Sequence, residues 1–154
     1  MFRLTTDPID FAALRTSASD QAAGAVVLFD GTVRNHHLGR AVDRLEYEAH
    51  DAVANKEGRK ILEEARERFE LLHAEAVHRV GELQVEESAV VVVVSTAHRA
   101  EAFEACRFLI DEIKHRVPIW KKEYYTDGTT EWVGCEGCAG HHAPHPTNCL
   151  LYTS

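Results

Sequence analysis

The sequence has no excess of basic residues and no long hydrophobic run, and each absence excludes a class of protein. Lys and Arg total 17 against 25 Asp and Glu, so the formal net charge is −8. Proteins that bind nucleic acid usually present a net basic face, so we expect no nucleic-acid partner. The longest apolar run, Ala89–Val94, is far shorter than the roughly 20 residues that cross a bilayer, so we expect no membrane segment.

Cysteine is scarce, and the first residues lack the apolar core of a secretory signal peptide. We therefore expect a cytoplasmic protein, in which reducing conditions keep thiols free and no disulfide framework forms. The chain has four cysteines, and only Cys106 precedes residue 134. Because it falls on the apolar face of a predicted helix, we interpret Cys106 as a packed thiol.

What remains is the composition of an ordinary globular protein. The 154 residues are 45% hydrophobic and 27% charged, which suits one domain of about 100–200 residues. Hydrophobic residues alternate between strand and helix spacing without an internal repeat, which predicts the α+β class. Strands are predicted at 24–29, 42–47, 77–83, 89–94, 119–125 and 130–133, and helices from Asp7, at 52–72 and at 97–116.

Three details of this pattern can be tested. The valine-rich strand at 89–94 should be central and covered on both faces, and it should pair with 77–83 as a hairpin. Asp7 should cap the first helix, with Phe11 and Leu14 facing inward. Phe103 and Leu72 should lie on the buried faces of their helices, and Pro118 should end the last helix.

Polar patches fall at the ends of these elements, at 32–40, 95–99 and 114–123. Their Arg, Lys and His side chains, with a helix N-terminus near residue 97, suit a small anionic ligand. The alternative is that each patch is a solvated charged surface paired with nearby carboxylates. We interpret His36 and His37 as exposed loop residues.

Several blocks of sequence resemble one known family. They are FDGTVRN at 29–35, LEYEAH at 45–50, HRVGEL at 78–83, AHR at 97–99 and KHRVPIWKKE at 114–123. In order and spacing they resemble the catalytic (large) subunits of molybdopterin synthase. The resemblance covers residues 2–133, and several blocks in one order are more specific than a short motif.

The resemblance implies an α/β hammerhead domain with an additional antiparallel β-sheet, and a homodimer. Each protomer would bind a small ubiquitin-like sulfur-carrier subunit that ends in a Gly-Gly thiocarboxylate. The implied activity is that of a sulfurtransferase, which moves two sulfurs into cyclic pyranopterin monophosphate to make the molybdopterin dithiolene. No metal or other cofactor is required for that step.

The resemblance also implies site residues. Lys114 and Lys121 would be catalytic. Substrate binding would involve both lysines together with Thr32, Val33, Arg34, His98, Arg99, Lys122 and Glu123. These residue types fit the chemistry, because arginine grips phosphate oxygens bidentately and a lysine can act as base, nucleophile or stabilising cation. A chain reversal at Pro118 would point both lysines into one pocket.

The family pattern ends at residue 133, so we divide the chain into a domain at 1–133 and a Cys/His-rich tail at 134–154. Glycine and proline in the tail favour a mobile segment. The alternative is a structural zinc site, for which the candidates are Cys135, Cys138, His141 and Cys149.

Two further functions remain open from the residues alone. A cationic pocket could belong to a non-catalytic pterin- or nucleotide-binding module, and the tail could make the chain a zinc-dependent interaction protein. Substitution of Lys114 or Lys121 would distinguish these two alternatives from an enzyme. A binding module would tolerate the loss of either lysine, and a zinc module would lose its interaction when chelator is added.

Overall fold

Two β-sheets and three helices make up residues 1–134, the part of the chain that this computed structural model describes. The helices are α1 (Phe11–Ser17), α2 (Asp51–Arg68) and α3 (Arg99–Arg116). The strands are β1 (Phe2–Thr5), β2 (Ala25–Thr32), β3 (His36–His37), β4 (Arg40–Ala49), β5 (His73–Arg79), β6 (Gly81–Gln84), β7 (Ser88–Thr96), β8 (Ile119–Tyr125) and β9 (Thr130–Val133). The α+β class is confirmed.

The first sheet has the strand order β1-β5-β7-β2, in which only the β1–β5 pair is parallel. Strand β7 lies inside the sheet, and its valines are fully buried. Val92 and Val94 face α2 and α3, whereas Val91 and Val93 pack on the side of Leu14 from α1. The valine strand is therefore covered on both faces, as its composition predicted.

The second sheet curls around the long strand β4. Strand β4 pairs with β3 and β6 as well as with β8, and β8 pairs in turn with β9. Its buried side includes Val42, Leu45 and Tyr47 from β4 and Tyr125 from β8. This sheet supplies the floor of the cleft described below.

The predicted hairpin between 77–83 and 89–94 is only half correct. Strand β5 does pair with β7 in the first sheet. The chain then turns at Gly81, whose φ of +92° is a left-handed conformation that favours glycine, and β6 joins β4 in the second sheet. The predicted strand at 77–83 is therefore divided between two sheets.

The helix predictions need three corrections. Asp10, rather than Asp7, caps α1, because its carboxylate accepts a hydrogen bond from the Ala13 N–H at 3.0 Å. Helix α2 ends at Arg68, so Leu72 lies beyond it and is exposed. Phe11 of α1 and Phe103 of α3 are also exposed. The buried stripe of α3 instead runs through Ala102, Cys106, Leu109 and Ile113, because each helical residue turns by about 100°. Cys106 is buried as a free thiol.

Pro118 follows the end of α3 and directs the chain into β8. The Val117 N–H closes the last helical turn on the Ile113 carbonyl, and the next strand pairs with β4. The C-terminal end of α3 therefore lies against the second sheet. Within residues 1–134, no helix is long and apolar enough to span a membrane.

Candidate active site

A cleft opens where the end of α3 meets the second sheet, and it has two compartments. We call the compartment that the exposed Arg34 lines the outer one, with a volume of about 280 Å³, and the other the inner one, with about 140 Å³. Both are lined by His37, Tyr47, Lys114 and Lys121. The two lysines therefore lie at the junction of the compartments, although they come from different elements.

Local structure explains how the lysines meet. Lys114 occupies the last turn of α3, and Lys121 is in β8 beyond Pro118. A helix C-terminus favours a cation because of its dipole, and the reversed chain brings β8 back beside it. The structure thus places the two predicted catalytic residues in one cleft.

The segment after β2 forms another wall of the outer compartment, where Thr32, Val33 and Arg34 lie. The Val33 N–H donates to the Glu87 carbonyl at 2.9 Å, and the Val33 carbonyl accepts from the Glu86 N–H at 2.8 Å. These bonds fix the backbone, and the Val33 side chain is buried. Arg34 is exposed, so its guanidinium is available to a ligand that enters from solvent.

Glu123 is a buried carboxylate in the outer compartment, with only 1% of its surface exposed. Its Oε1 lies 3.1 Å from Nζ of Lys121, and its Oε2 accepts a hydrogen bond from the Tyr125 hydroxyl at 2.6 Å. Residues 121, 123 and 125 share one face of β8, because side chains in a strand alternate between faces. Glu123 therefore joins a lysine and a tyrosine of its own strand.

His37 was interpreted as an exposed loop residue, and the structure places it in the cleft instead. It belongs to β3, which turns back into β4 through Leu38 and Gly39, both with positive φ. Its Nδ1 is buried without a hydrogen-bond partner among the described residues and lies 3.6 Å from Oε1 of Glu123. Leu-Gly is an unusual pair for a two-residue hairpin turn, so the sequence signal for this strand was weak.

His78 is a second cleft residue that the sequence pattern did not indicate. It lines the inner compartment with Lys114, and its Nδ1 lies 2.7 Å from the Arg79 carbonyl oxygen. Since a carbonyl can only accept, Nδ1 carries the proton and Nε2 is the unprotonated nitrogen. Burial, with a smaller contribution from nearby Lys114, lowers the pKa of His78 to about 4. His78 is therefore neutral at physiological pH.

Tyr47 of β4 lines both compartments and contacts His78. Its ring packs edge-on against the imidazole of His78, with 5.1 Å between the ring centroids. Burial raises the pKa of Tyr47 to about 12, and the charge of Glu123 contributes to the increase. Its hydroxyl therefore stays protonated at neutral pH and can act only as an uncharged hydrogen-bonding group.

Four basic residues of the predicted patches lie away from this cleft. His98 is at the N-cap position of α3, where its side chain makes no capping hydrogen bond, and Arg99 is the first helical residue. At about 1.5 Å per residue, His98 lies about 24 Å along the helix from Lys114. Lys122 is on the opposite face of β8, with its Nζ 5.1 Å from the ring centroid of Tyr124.

The fourth basic residue is Arg116, which joins α3 to α2. Its guanidinium lies 2.7 Å from a carboxylate oxygen of Glu57 and 2.6 Å from one of Glu64, and it also pairs with Glu112 at 3.1 Å. These hydrogen bonds, led by the one with Glu64, raise the pKa of Arg116. Arg116 therefore joins two helices and contributes no free charge to the cleft.

Metal binding has no support in the part of the chain that the structure describes. No group of three or more His, Cys, Asp or Glu side chains in residues 1–134 is arranged to hold a metal ion. The zinc candidates Cys135, Cys138, His141 and Cys149 lie outside the described residues. The zinc alternative for the tail therefore stays a prediction.

Comparison with known proteins gives matches over most of the chain. The sequence profile of the MoaE protein family matches residues 4–116. The chain is 46% identical over 132 residues to the molybdopterin synthase catalytic subunit of Pyrococcus abyssi, covering 84% of this chain and 88% of that protein. It is 44% identical to the corresponding subunit of Dictyostelium discoideum, covering 83% and 84%. The molybdopterin synthase crystal structure from Staphylococcus aureus matches with a TM-score of 0.80 at 37% identity, covering 85% of this chain and 95% of that one.

Proposed function

The chain belongs to the MoaE protein family, and from this we propose that it is the catalytic subunit of molybdopterin synthase. The reaction would transfer sulfur from the thiocarboxylate of a small carrier subunit to cyclic pyranopterin monophosphate and so form the dithiolene. The observation that carries the proposal is the position of Lys114 and Lys121 at the junction of both cleft compartments. Substrate bound in one compartment and a sulfur donor in the other would meet beside these lysines.

The charge of the cleft suits an anionic pterin. Arg34, Lys114 and Lys121 line the outer compartment, and its acidic residue, Glu123, is already paired with Lys121 and Tyr125. Arginine can grip a phosphate through two parallel hydrogen bonds, so Arg34 would hold the cyclic phosphate. Thr32 and Val33 would shape the wall on which the substrate lies.

The lysines have different surroundings, which suggests different roles. Lys121 is held by the buried carboxylate of Glu123, so its ammonium group would be positioned to stabilise negative charge that develops on the substrate. Lys114 is exposed at the end of α3 beside the neutral imidazole of His78, so it can exchange protons with solvent. Lys114 would therefore be the base or nucleophile.

A homodimer would explain the position of His98 and Arg99. One protomer cannot bring both ends of α3 to one small substrate, since they are about 24 Å apart. A second copy could place its own helix start over the cleft of the first. Light scattering during size-exclusion chromatography should show a dimer of the chain alone and a heterotetramer with the carrier. A monomer that retains no carrier would contradict this assembly.

The carrier would reach the lysines through the inner compartment. A Gly-Gly terminus lacks Cβ atoms and fits a space of about 140 Å³ without the side-chain clashes that larger residues would make. A Helicobacter pylori structure with the same fold, at a TM-score of 0.71 and 19% identity, is a complex of subunits 1 and 2 of molybdopterin-converting factor. Adding one bulky residue after the carrier's Gly-Gly should abolish turnover.

Reconstitution tests the proposed reaction directly. The chain, a thiocarboxylated carrier and cyclic pyranopterin monophosphate should yield a product whose mass shows two added sulfurs. Lys121→Ala and Lys114→Ala should each lower kcat by about 10²-fold or more, the usual scale for losing a general base or an electrostatic group. Lys56→Ala, on the exposed surface of α2, is the matched control and should keep normal turnover. Normal turnover by both cleft variants would favour the non-catalytic pterin-binding module instead.

A further inference from the structure

Tyr125 lies in the core of the second sheet, beside Glu123, and the reaction as described does not use it. Its ring is buried under the guanidinium of Arg40, whose Cζ lies 3.4 Å from the ring centroid. Its hydroxyl donates to Oε2 of Glu123 at 2.6 Å. Burial raises the pKa of Tyr125 to about 12, and the bond to Glu123 adds to the increase, so the hydroxyl remains a donor at neutral pH.

The carboxylate of Glu123 has two oxygens with different partners. Tyr125 holds Oε2, whereas Oε1 faces Lys121 Nζ at 3.1 Å and His37 Nδ1 at 3.6 Å. A carboxylate held at one oxygen cannot rotate freely about its last bond. The direction in which Oε1 points is therefore set by the tyrosine.

We propose that Tyr125 is a positioning residue for Lys121, because its hydroxyl fixes Glu123 and Glu123 in turn holds the lysine ammonium at the junction of the two compartments. Tyr125 does not line either compartment, so it would act without touching the substrate. The inference rests on the proposed role of Lys121 in sulfur transfer. It adds to that role the hydrogen-bonded chain from Tyr125 through Glu123 to Lys121.

The neighbouring residue in β8 offers a matched control. The Tyr124 hydroxyl donates to Oε2 of Glu46 at 2.7 Å, and the guanidinium of Arg44 lies 3.9 Å from the centre of its ring. Tyr124 therefore has the same kinds of partner as Tyr125, but on the opposite face of β8 and away from Lys121. Tyr125→Phe and Tyr124→Phe each remove one hydroxyl and leave an aromatic ring beneath an arginine.

The test first measures how fast Lys121 is chemically labelled and then measures the rate of turnover. An amine-reactive reagent, with peptide mass mapping, should label Lys121 about two- to tenfold faster in Tyr125→Phe, the factor expected for losing one hydrogen bond in the chain. Lys56 serves as the internal reference, and Tyr124→Phe should leave Lys121 labelling unchanged. In single-turnover synthase assays, Tyr125→Phe should lower the rate by about tenfold with little change in KM.

A second variant keeps the test decisive if the first loses stability. Glu123→Gln has nearly the same shape but no charge to hold the ammonium, so it should raise Lys121 labelling by itself. Adding Tyr125→Phe to it should change labelling little further, because both act through one carboxylate. Melting temperatures of the variants show whether either effect is merely loss of the fold.

The outcomes separate this inference from the proposed function. If Lys121 labelling is unchanged in Tyr125→Phe, the positioning role is wrong whether or not the protein makes product. Faster labelling with unchanged single-turnover kinetics also overturns it, because the position of Lys121 would then not limit the reaction. If the unmodified chain makes no dithiolene, the proposed function fails, while labelling still decides whether Tyr125 positions the lysine.

Discussion

His78 should make the folded protein lose stability in mild acid. The imidazole is buried, and burial lowers its pKa from 6.5 to about 4. Below pH 6.5 the unfolded chain takes up a proton at this residue, whereas the folded chain does not until about pH 4. The stability contributed by the neutral form is therefore complete above pH 6.5 and is lost as the pH falls towards 4. At about 1.36 kcal/mol for each pH unit between these values, the loss is about 3 kcal/mol.

The assay compares urea unfolding of the unmodified protein with His78→Asn at several pH values from 7 to 4. Asparagine keeps an N–H that can reach the Arg79 carbonyl, which Nδ1 of His78 contacts at 2.7 Å, but it cannot be protonated. From pH 7 to pH 4, the unmodified protein should lose about 3 kcal/mol more free energy of unfolding than the variant. Parallel curves in the two proteins would refute the reasoning, as would an NMR titration of the folded His78 ring near pH 6.5.

Three other perturbations have separate expected results. In steady-state synthase assays, Arg34→Ala should raise KM about tenfold or more and change kcat less. The reason is that an exposed guanidinium on the cleft wall binds substrate and transition state alike. In urea titrations, Arg116→Met should lower the free energy of unfolding by about 2 kcal/mol, because the substitution leaves the three glutamates that Arg116 joins without a counter-charge. Added salt should reverse part of this loss by screening the repulsion among the glutamates. Truncation after Gly134 retains every lining residue that the structure describes for the two compartments, so synthase activity should be nearly unchanged. Activity that is lost on truncation, and that zinc restores to a chelator-treated full chain, would instead support the metal site.

The fold could be predicted where the hydrophobic pattern was consistent over a whole element. Strand β7 consists largely of valine, and α3 has apolar residues at helical spacing, so the central strand and its covering helix were clear from the sequence. The break at Gly81 was not, because the apolar alternation continues through the residue where the chain changes sheets. A single glycine can mark a bulge, a turn or a change of sheet, and only the tertiary pairing of β6 with β4 decides among them.

The cleft was predictable in part, and for a different reason. The resemblance indicated Lys114 and Lys121, and the structure brings them together with Thr32, Val33 and Arg34. The contacts among them depend on strand register, which no local pattern encodes. His37 reaches Glu123 only because β3 pairs with β4 and β4 pairs with β8, and that register is set by packing across the whole sheet.

The basic segment from Lys114 to Lys122 shows why composition alone could not describe the ligand. Its cations lie close together in sequence, which suggested one positive patch facing one anion. The segment crosses from the end of a helix into a strand, so its side chains point in different directions. Arg116 contacts α2 and Lys122 lies on the far face of β8, whereas Lys114 and Lys121 line the cleft. A ligand there meets two lysines from this segment, one of them already paired with Glu123. The cleft therefore holds few cations, which suits a small anion better than a polyanion.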